Sequence, residues 1–450
     1  MKRKIYSKLL EWKNESNGEY ALLIDGARRV GKSYIVKQFA ENEYRSCVIL
    51  DFNVVPDAIK DLFENDLANL DRFFMYLSNY TGTVLYERDT LIVFDEVQQY
   101  PKARAAIKYL VSDGRYDYIE TGSLVSIKKN VEGIVIPSEE EHIKMYPMDF
   151  EEFLWAVGEE MLMPFIKDCF EKRRPLGQLM HRKAMDYFRL YMIVGGMPQA
   201  VEKYVETRDF GKVDKLKRRI LELYRSDISK YAKGYDTKVR SIFEEIPSQL
   251  QKHEKRFRLS ALKEGARSRD YETAFFWLDD AMIMNCCYNT TEPNVGLNLN
   301  KDTHTMKCYM ADTGLLISHA FSANEIVSEE LYNKILLDKL EMNSGMIVEN
   351  IVAQMLRAAG HRLFFYSNPS VTDKELRMEI DFLIAKSKIT TRHNISPIEV
   401  KSSTRYTLTS LKKCMAKYGP YLSTAYVIHP ADLKEEDNIV YLPLYMCPLL

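Results

Sequence analysis

The sequence predicts an α/β protein with a sheet near each end and a largely helical middle. Three observations carry that reading. Residues 21–123 alternate apolar runs of strand length (21–24, 46–52, 90–95, 116–120) with helical stretches, as a parallel sheet requires. Residues 146–231 carry charged and apolar repeats with few breakers, so a helical region follows the first sheet. Residues 344–446 return to mixed α/β: a helix closed by Gly360, strand-like runs at 363–367, 379–385 and 398–402, a helix at 407–418 stopped by Gly419, and strands at 425–429 and 439–444.

Composition sets the outer limits. A chain of 450 residues, 46% hydrophobic and 28% charged, is too long for one ordinary core and should divide into two to four globular domains. Its 63 basic and 64 acidic residues nearly cancel, so any nucleic-acid surface must be local. The basic start is interrupted by Lys8, Glu11 and Lys13, unlike a signal peptide, and no apolar run reaches transmembrane length. Seven scattered cysteines without a paired CxxC spacing fit reduced, structural thiols. The expectation is a cytoplasmic protein with no membrane partner.

After the first apolar run, 21–24, the chain reads Gly26-Ala27-Arg28-Arg29-Val30-Gly31-Lys32-Ser33 and then enters a helix at 32–41 that begins with Lys32, Ser33 and Tyr34. A phosphate chain needs backbone N–H donors at close range and a cation to offset its charge, which glycines bracketing a loop and a following lysine provide. This is a complete Walker A loop in its strand–loop–helix context, and it predicts ATP as ligand with Ser33 offering a hydroxyl to Mg²⁺. The strand Leu91-Ile92-Val93-Phe94 delivers Asp95 and Glu96 to its end. There Asp95 can hold the Mg²⁺ shell and Glu96 can orient or deprotonate the attacking water. After the next strand come Thr121-Gly122-Ser123; Thr121, then Ser123, is the candidate γ-phosphate sensor, the alternative being a turn that caps a helix.

These pieces, with Phe94-Asp95-Glu96-Val97-Gln98 and with Tyr146-Pro147-Met148 leading into Phe150-Glu151-Glu152-Phe153, resemble the prokaryotic AAA-type ATPases of the STAND-related archaeal group over nearly the whole chain. The resemblance implies a P-loop ATPase core at 1–145, a helical lid at 146–238, a winged-helix-like segment at 239–307, a linker at 308–343 and a last domain at 344–450. It also implies a nucleotide switch or slow motor, with a homo-oligomer as a candidate assembly. Gly196-Met197-Pro198 matches the Gly-x-Pro element that lies near the nucleotide in that group, so Pro198 joins the nucleotide-binding set; a helix stop is the alternative. Arg189 and Arg225 are candidate cations for the γ-phosphate, against ordinary surface solvation.

In the middle segment Lys252, Lys255, Arg256, Arg258, Lys263, Arg267 and Arg269 cluster, with a helix expected near 269–279. Cations of this kind neutralise phosphates, but interleaved acids leave a solvated face as the alternative to DNA contact. In the last domain three separated pieces carry chemistry: Glu349 on its first helix, Asp381 in Glu379-Ile380-Asp381, and Glu399-Val400-Lys401. Carboxylates holding Mg²⁺ beside a lysine suffice for phosphodiester cleavage. The set resembles the PD-(D/E)xK nuclease fold, which implies Asp381 and Glu399 as metal ligands, Glu349 and Lys401 as catalytic groups, and a restriction-endonuclease-like α/β domain. Two functions stay in play: an ATPase coupled to a nuclease-like domain that binds or cleaves DNA, and a nucleotide-driven regulatory switch that binds a protein partner. A small-molecule kinase is disfavoured, since no acceptor motif accompanies the loop.

Overall fold

The computed structural model describes residues 1–124, 135–252, 256–294, 296–322, 344–369, 377–385 and 394–450. It divides into two compact units, residues 1–146 with 280–282, and residues 147–279 with 283–450.

The first unit is built on five parallel strands, β1 (Ala21–Asp25), β2 (Ser46–Asp51), β3 (Thr90–Asp95), β4 (Asp117–Gly122) and β5 (Glu140–Lys144), in the order β2-β3-β4-β1-β5. Every residue of β1, β3 and β4 is buried, as expected for central parallel strands covered on both faces. Phe52, Phe63, Phe73, Phe94 and Tyr118 fill one side of the sheet. The order seats β4 between the strand that precedes the Gly-rich loop and the strand that ends in Asp95. Register aligns Asp25 with Gly122, and Phe94 with Glu120, so the carboxyl ends of β1, β3 and β4 open onto one edge. Crevices at such edges are where α/β sheets hold ligands.

The second unit begins with helices Phe150–Ala156, Leu162–Glu171, Gln178–Val194, Pro198–Thr207, Phe210–Tyr231 and Asp236–Gln251. Asp149 and Glu152 cap the first reciprocally. An eight-stranded sheet follows: β6 (Met284–Thr290), β7 (Lys301–Met310), β8 (Phe364–Asn368), β9 (Met378–Ala385), β10 (Ile395–Val400), β11 (Ala425–His429), β12 (Lys434–Glu436) and β13 (Ile439–Pro443), ordered β12-β13-β11-β10-β9-β8-β6-β7. Here the structure departs from the boundaries drawn in the sequence. The hairpin β6–β7 pairs onto β8, so one sheet crosses both 307/308 and 343/344. Residues 308–320 are the end of β7 and the buried helix Thr313–Ala320 rather than linker. A hairpin with an apolar face must cover it, and it does so on the C-terminal core. From residue 323 the expected linker lies outside the described residues, as does Lys255.

All seven cysteines are unpaired, six of them buried. Among the described residues no helix is long and apolar enough to cross a membrane.

Candidate functional site

The Gly-rich loop leaves β1 at Asp25 and runs into helix Lys32–Glu43. A Cβ on Gly26 would lie 2.4 Å from the Met145 carbonyl, and Gly31 takes φ +96°, so both positions need glycine. No side chain caps the helix start, which leaves its first amides to a ligand. The Lys32 ammonium turns into the loop, donating to the Gly26 and Ala27 carbonyls at 2.9 and 3.1 Å. Burial pulls its pKa down against the pull of Glu96, Asp25 and Asp95. Asp25 is pushed up, chiefly by burial.

Across the edge, Ser33 Oγ donates to Asp95 Oδ1 at 2.8 Å, and the Thr121 hydroxyl donates to the same oxygen. The Glu96 amide points at Thr121 Oγ1 at 3.4 Å, and the Gln98 amide nitrogen donates to Glu96 Oε2 at 2.5 Å and lies 3.5 Å from Ser123 Oγ. Glu96 adopts φ +55°, a conformation costly for a non-glycine residue and common where function holds the backbone. The structure thus brings Lys32, Ser33, Asp95, Glu96, Thr121 and Ser123 together. Thr121 lies within β4, not in a capping turn; the chain after residue 124 is outside the described residues.

Hydroxyl and carboxylate oxygens suit a hard divalent ion. Ser33 and Asp95, joined through one hydrogen bond, fit Mg²⁺, and Lys32 with the loop amides fits the phosphates of ATP.

Two members of this site escaped the sequence. Arg3 sends its guanidinium to the Val30 carbonyl at 2.8 Å and the Tyr146 carbonyl at 2.7 Å, bracing the loop from the chain's start. No spacing rule ties residue 3 to residue 30. Gln98 positions Glu96, and its only signal was its place two residues after the acidic pair.

Pro198 opens helix Pro198–Thr207 in the second unit. Its neighbours explain the glycines. A Cβ on Gly196 would sit 2.2 Å from the Met148 carbonyl, and one on Gly195 would sit 2.4 Å from Asp312 Oδ1. The Gly196 amide donates to Asp312 Oδ2 at 2.6 Å, and the Met148 amide donates to the Gly196 carbonyl at 2.6 Å. Within this unit the Gly-Gly pair is a close-packed junction. Arg225 binds Glu244 and Glu222, and Arg189 pairs with Asp186, so both arginines have carboxylate partners. Arg258, Lys263, Arg267 and Arg269 are exposed, whereas Arg256 turns inward to Ser367 Oγ.

In the C-terminal sheet Asp381 Oδ2 accepts from the Val400 amide at 2.8 Å, and Lys401 Nζ donates to Glu399 Oε2 at 3.0 Å. Glu399 is buried; burial and then the neighbouring Asp381 push its pKa well up. Glu349, expected at the rim of an apolar stripe, is only 3% exposed. It accepts from the Tyr309 hydroxyl at 2.5 Å and faces Lys307 Nζ at 3.3 Å. Lys307, on β7, is the residue the sequence reading missed. Its ammonium also meets Glu379 at 2.9 Å and Asp381 at 3.9 Å. Burial opposes that charge, but the three carboxylates outweigh it and raise the lysine's pKa.

All four expected members therefore share one neighbourhood, and Lys307 joins it against Glu349 and Asp381. Among the described residues no group of three or more acidic, histidine or cysteine side chains has an arrangement that could hold a metal ion. The donor set does not fit Mg²⁺ here.

The parallel sheet, the Gly-rich loop and the Ser33–Asp95–Thr121 junction define a P-loop ATPase domain. Residues 18–154 match the family model of an AAA domain, and the chain thus carries a P-loop domain of AAA type. Two further models, each described as a domain of unknown function, match residues 185–325 (DUF8612) and 344–447 (DUF4143). No curated protein matches the chain. Among solved structures it is similar to the Walker-type ATPase of Pyrococcus abyssi (15% identity, 71% of this chain and 95% of that one, TM-score 0.38). It is also similar to the Orc1 protein of Aeropyrum pernix in complex with DNA (11%, 72% and 93%, 0.29). A third is a STAND protein with a tetratricopeptide-repeat sensor from Pyrococcus horikoshii (10%, 79% and 48%, 0.29).

Proposed function

We propose that the chain is a Mg²⁺-dependent ATP hydrolase whose helical and winged-helix-like segments couple nucleotide state to a C-terminal, nuclease-like unit that engages DNA. The observation that carries the first half is the convergence of Ser33 and Thr121 on one carboxylate oxygen of Asp95, beside Lys32 and Glu96. Bound Mg²⁺ would neutralise charge between the β- and γ-phosphates. Lys32 binds phosphate, Ser33 and Asp95 hold the ion's shell, Glu96 orients water or takes its proton, and Gln98 keeps Glu96 in place.

The DNA half is supported by the shared neighbourhood of Glu349, on helix Ser344–Ala358, with Asp381, Glu399 and Lys401 of a sheet whose order of elements suits a nuclease-like fold, and by the exposed cations 258–269. The centre does not fit a metal, so engagement of DNA rather than its cleavage is the reading it supports. That misfit favours a second reading, a nucleotide-driven switch whose C-terminal unit binds a protein partner. Seven unpaired thiols suit a reducing cytoplasm.

Hydrolysis of ATP by the wild type, Lys32→Ala and Glu96→Gln, with fluorescence anisotropy on labelled DNA, tests both halves. Loss of turnover by about 10²-fold or more in both variants is expected. Turnover that survives both substitutions sinks the ATPase assignment; wild type that binds no DNA in any nucleotide state leaves the protein-partner switch.

A further inference from the structure

The carboxylates of the C-terminal unit already have a cation. Glu349 comes from the helix Ser344–Ala358, Glu379 and Asp381 from β9, and Lys307 from β7 reaches all three. The lysine is 1% exposed, so it is no surface ion pair. Its ammonium also lies over the Phe365 ring, 5.0 Å from the centroid. Tyr309, two residues along the same strand, donates its hydroxyl to the same Glu349 oxygen, Oε1, that Lys307 faces.

Buried carboxylates of one sign repel unless a positive charge stands among them, and nuclease chemistry takes that charge from a divalent ion. A divalent ion binds oxygen at about 2.0–2.6 Å. An ion bridging Glu349, Glu379 and Asp381 oxygens would therefore crowd an ammonium that is itself 2.9 to 3.9 Å from them. The two cations compete for one position.

We propose that Lys307 is the resident cation of this centre, filling the place a divalent metal would need, so that the C-terminal unit holds its carboxylates together without metal. The inference rests on the nuclease-like reading only for where a metal would be sought. Removing the lysine should convert the centre into a divalent site: three carboxylates, Glu349, Glu379 and Asp381, would then lack their shared counter-charge.

The test is Mn²⁺ binding to the full chain, read by electron paramagnetic resonance, in an Asp95→Ala background that removes the ATPase ion. The parent should show no Mn²⁺ site that depends on Asp381, and Lys307→Arg should behave likewise. Lys307→Met should bind one Mn²⁺ at least tenfold more tightly than the parent, and adding Asp381→Asn should abolish the gain. If Lys307→Met is unstable, its melting temperature is read against Mn²⁺; a rise that Asp381→Asn removes supports the proposal equally. Either of two results overturns it: a parent Mn²⁺ site lost on Asp381→Asn, or a Lys307→Met protein that neither binds Mn²⁺ nor is stabilised by it. DNA anisotropy on the same proteins is independent, since absent DNA binding would remove the proposed function and leave the metal result standing.

Discussion

Thr121→Val isolates one hydroxyl at the junction of the two Walker strands. Valine keeps the shape and the β-branch that suits β4, so the sheet should stay intact. What is lost is the hydrogen bond from Thr121 to the carboxylate of Asp95, together with the acceptor 3.4 Å from the Glu96 amide. A hydrogen bond to a charged group contributes about 1.5–3 kcal/mol. If Thr121 holds Asp95 for the ion it shares with Ser33, most of that loss appears in the transition state. The expected fall in kcat is then about 10- to 100-fold. The assay is steady-state ATP hydrolysis at saturating Mg-ATP, with nucleotide affinity measured separately and Thr121→Ser as a control that restores the hydroxyl. A Thr121→Val protein with kcat within twofold of wild type but a lowered melting temperature would refute the reasoning, because Thr121 would then serve only the sheet.

Three further outcomes follow from particular contacts. Arg3→Met removes two charge-assisted bonds to the Val30 and Tyr146 carbonyls and should weaken ATP binding about tenfold, close to 1.4 kcal/mol, in a nucleotide titration; unchanged affinity would show that the loop needs no brace. Gly196→Ala drives a methyl to within 2.2 Å of a backbone oxygen and should cost about 3 kcal/mol in urea unfolding, whereas a loss under about 0.5 kcal/mol would mean the junction yields easily. His429, buried beside the Tyr406 hydroxyl, has its pKa pushed down to about 4, by burial foremost. Its folded value lies below its unfolded one, so the unfolded chain takes the proton first. The His429 contribution is then complete above roughly pH 6.5 and is lost as pH falls toward 4. Allowing for solvent screening, the loss is about 1–2 kcal/mol, and urea midpoints from pH 7 to 4 should fall less steeply in His429→Gln. Parallel slopes in the two proteins would rule this out.

What could be read from the sequence was whatever is local. Residues 26–33 announce themselves because phosphate binding demands glycine, lysine and hydroxyl within eight positions, and Asp95-Glu96 because an apolar strand leads to them. The sequence offered Thr121 as a sensor by its place after an apolar strand; the register that sets it beside Asp95 comes from β4 entering between β1 and β3, which the structure shows. Long-range pairing did not follow. The hairpin β6–β7 looked like a separate small unit because its own strands are adjacent in sequence, and nothing local says that β6 will accept β8 as a parallel neighbour more than seventy residues on. Lys307 was invisible for the same reason. In sequence it is one cation in Met306-Lys307-Cys308, and its meaning comes from Glu349, Glu379 and Asp381, which only the shared sheet brings within reach.

That contrast bears on function. The nuclease-like reading rested on four residue types at the right places, and the structure does assemble them. Residue type cannot say whether such a centre is waiting for a metal. A carboxylate cluster is open to Mg²⁺ only while its negative charge is unmet, and here a lysine from outside the motif meets part of it. The P-loop differs in this respect: its lysine turns onto two neutral backbone carbonyls, contacts that phosphate oxygens can replace at little cost, and Ser33 and Asp95 face each other with oxygen donors alone. Of these two acidic centres, the one at β3 is therefore arranged to receive a ligand, and the proposal for the one at β9 is that it does without a metal.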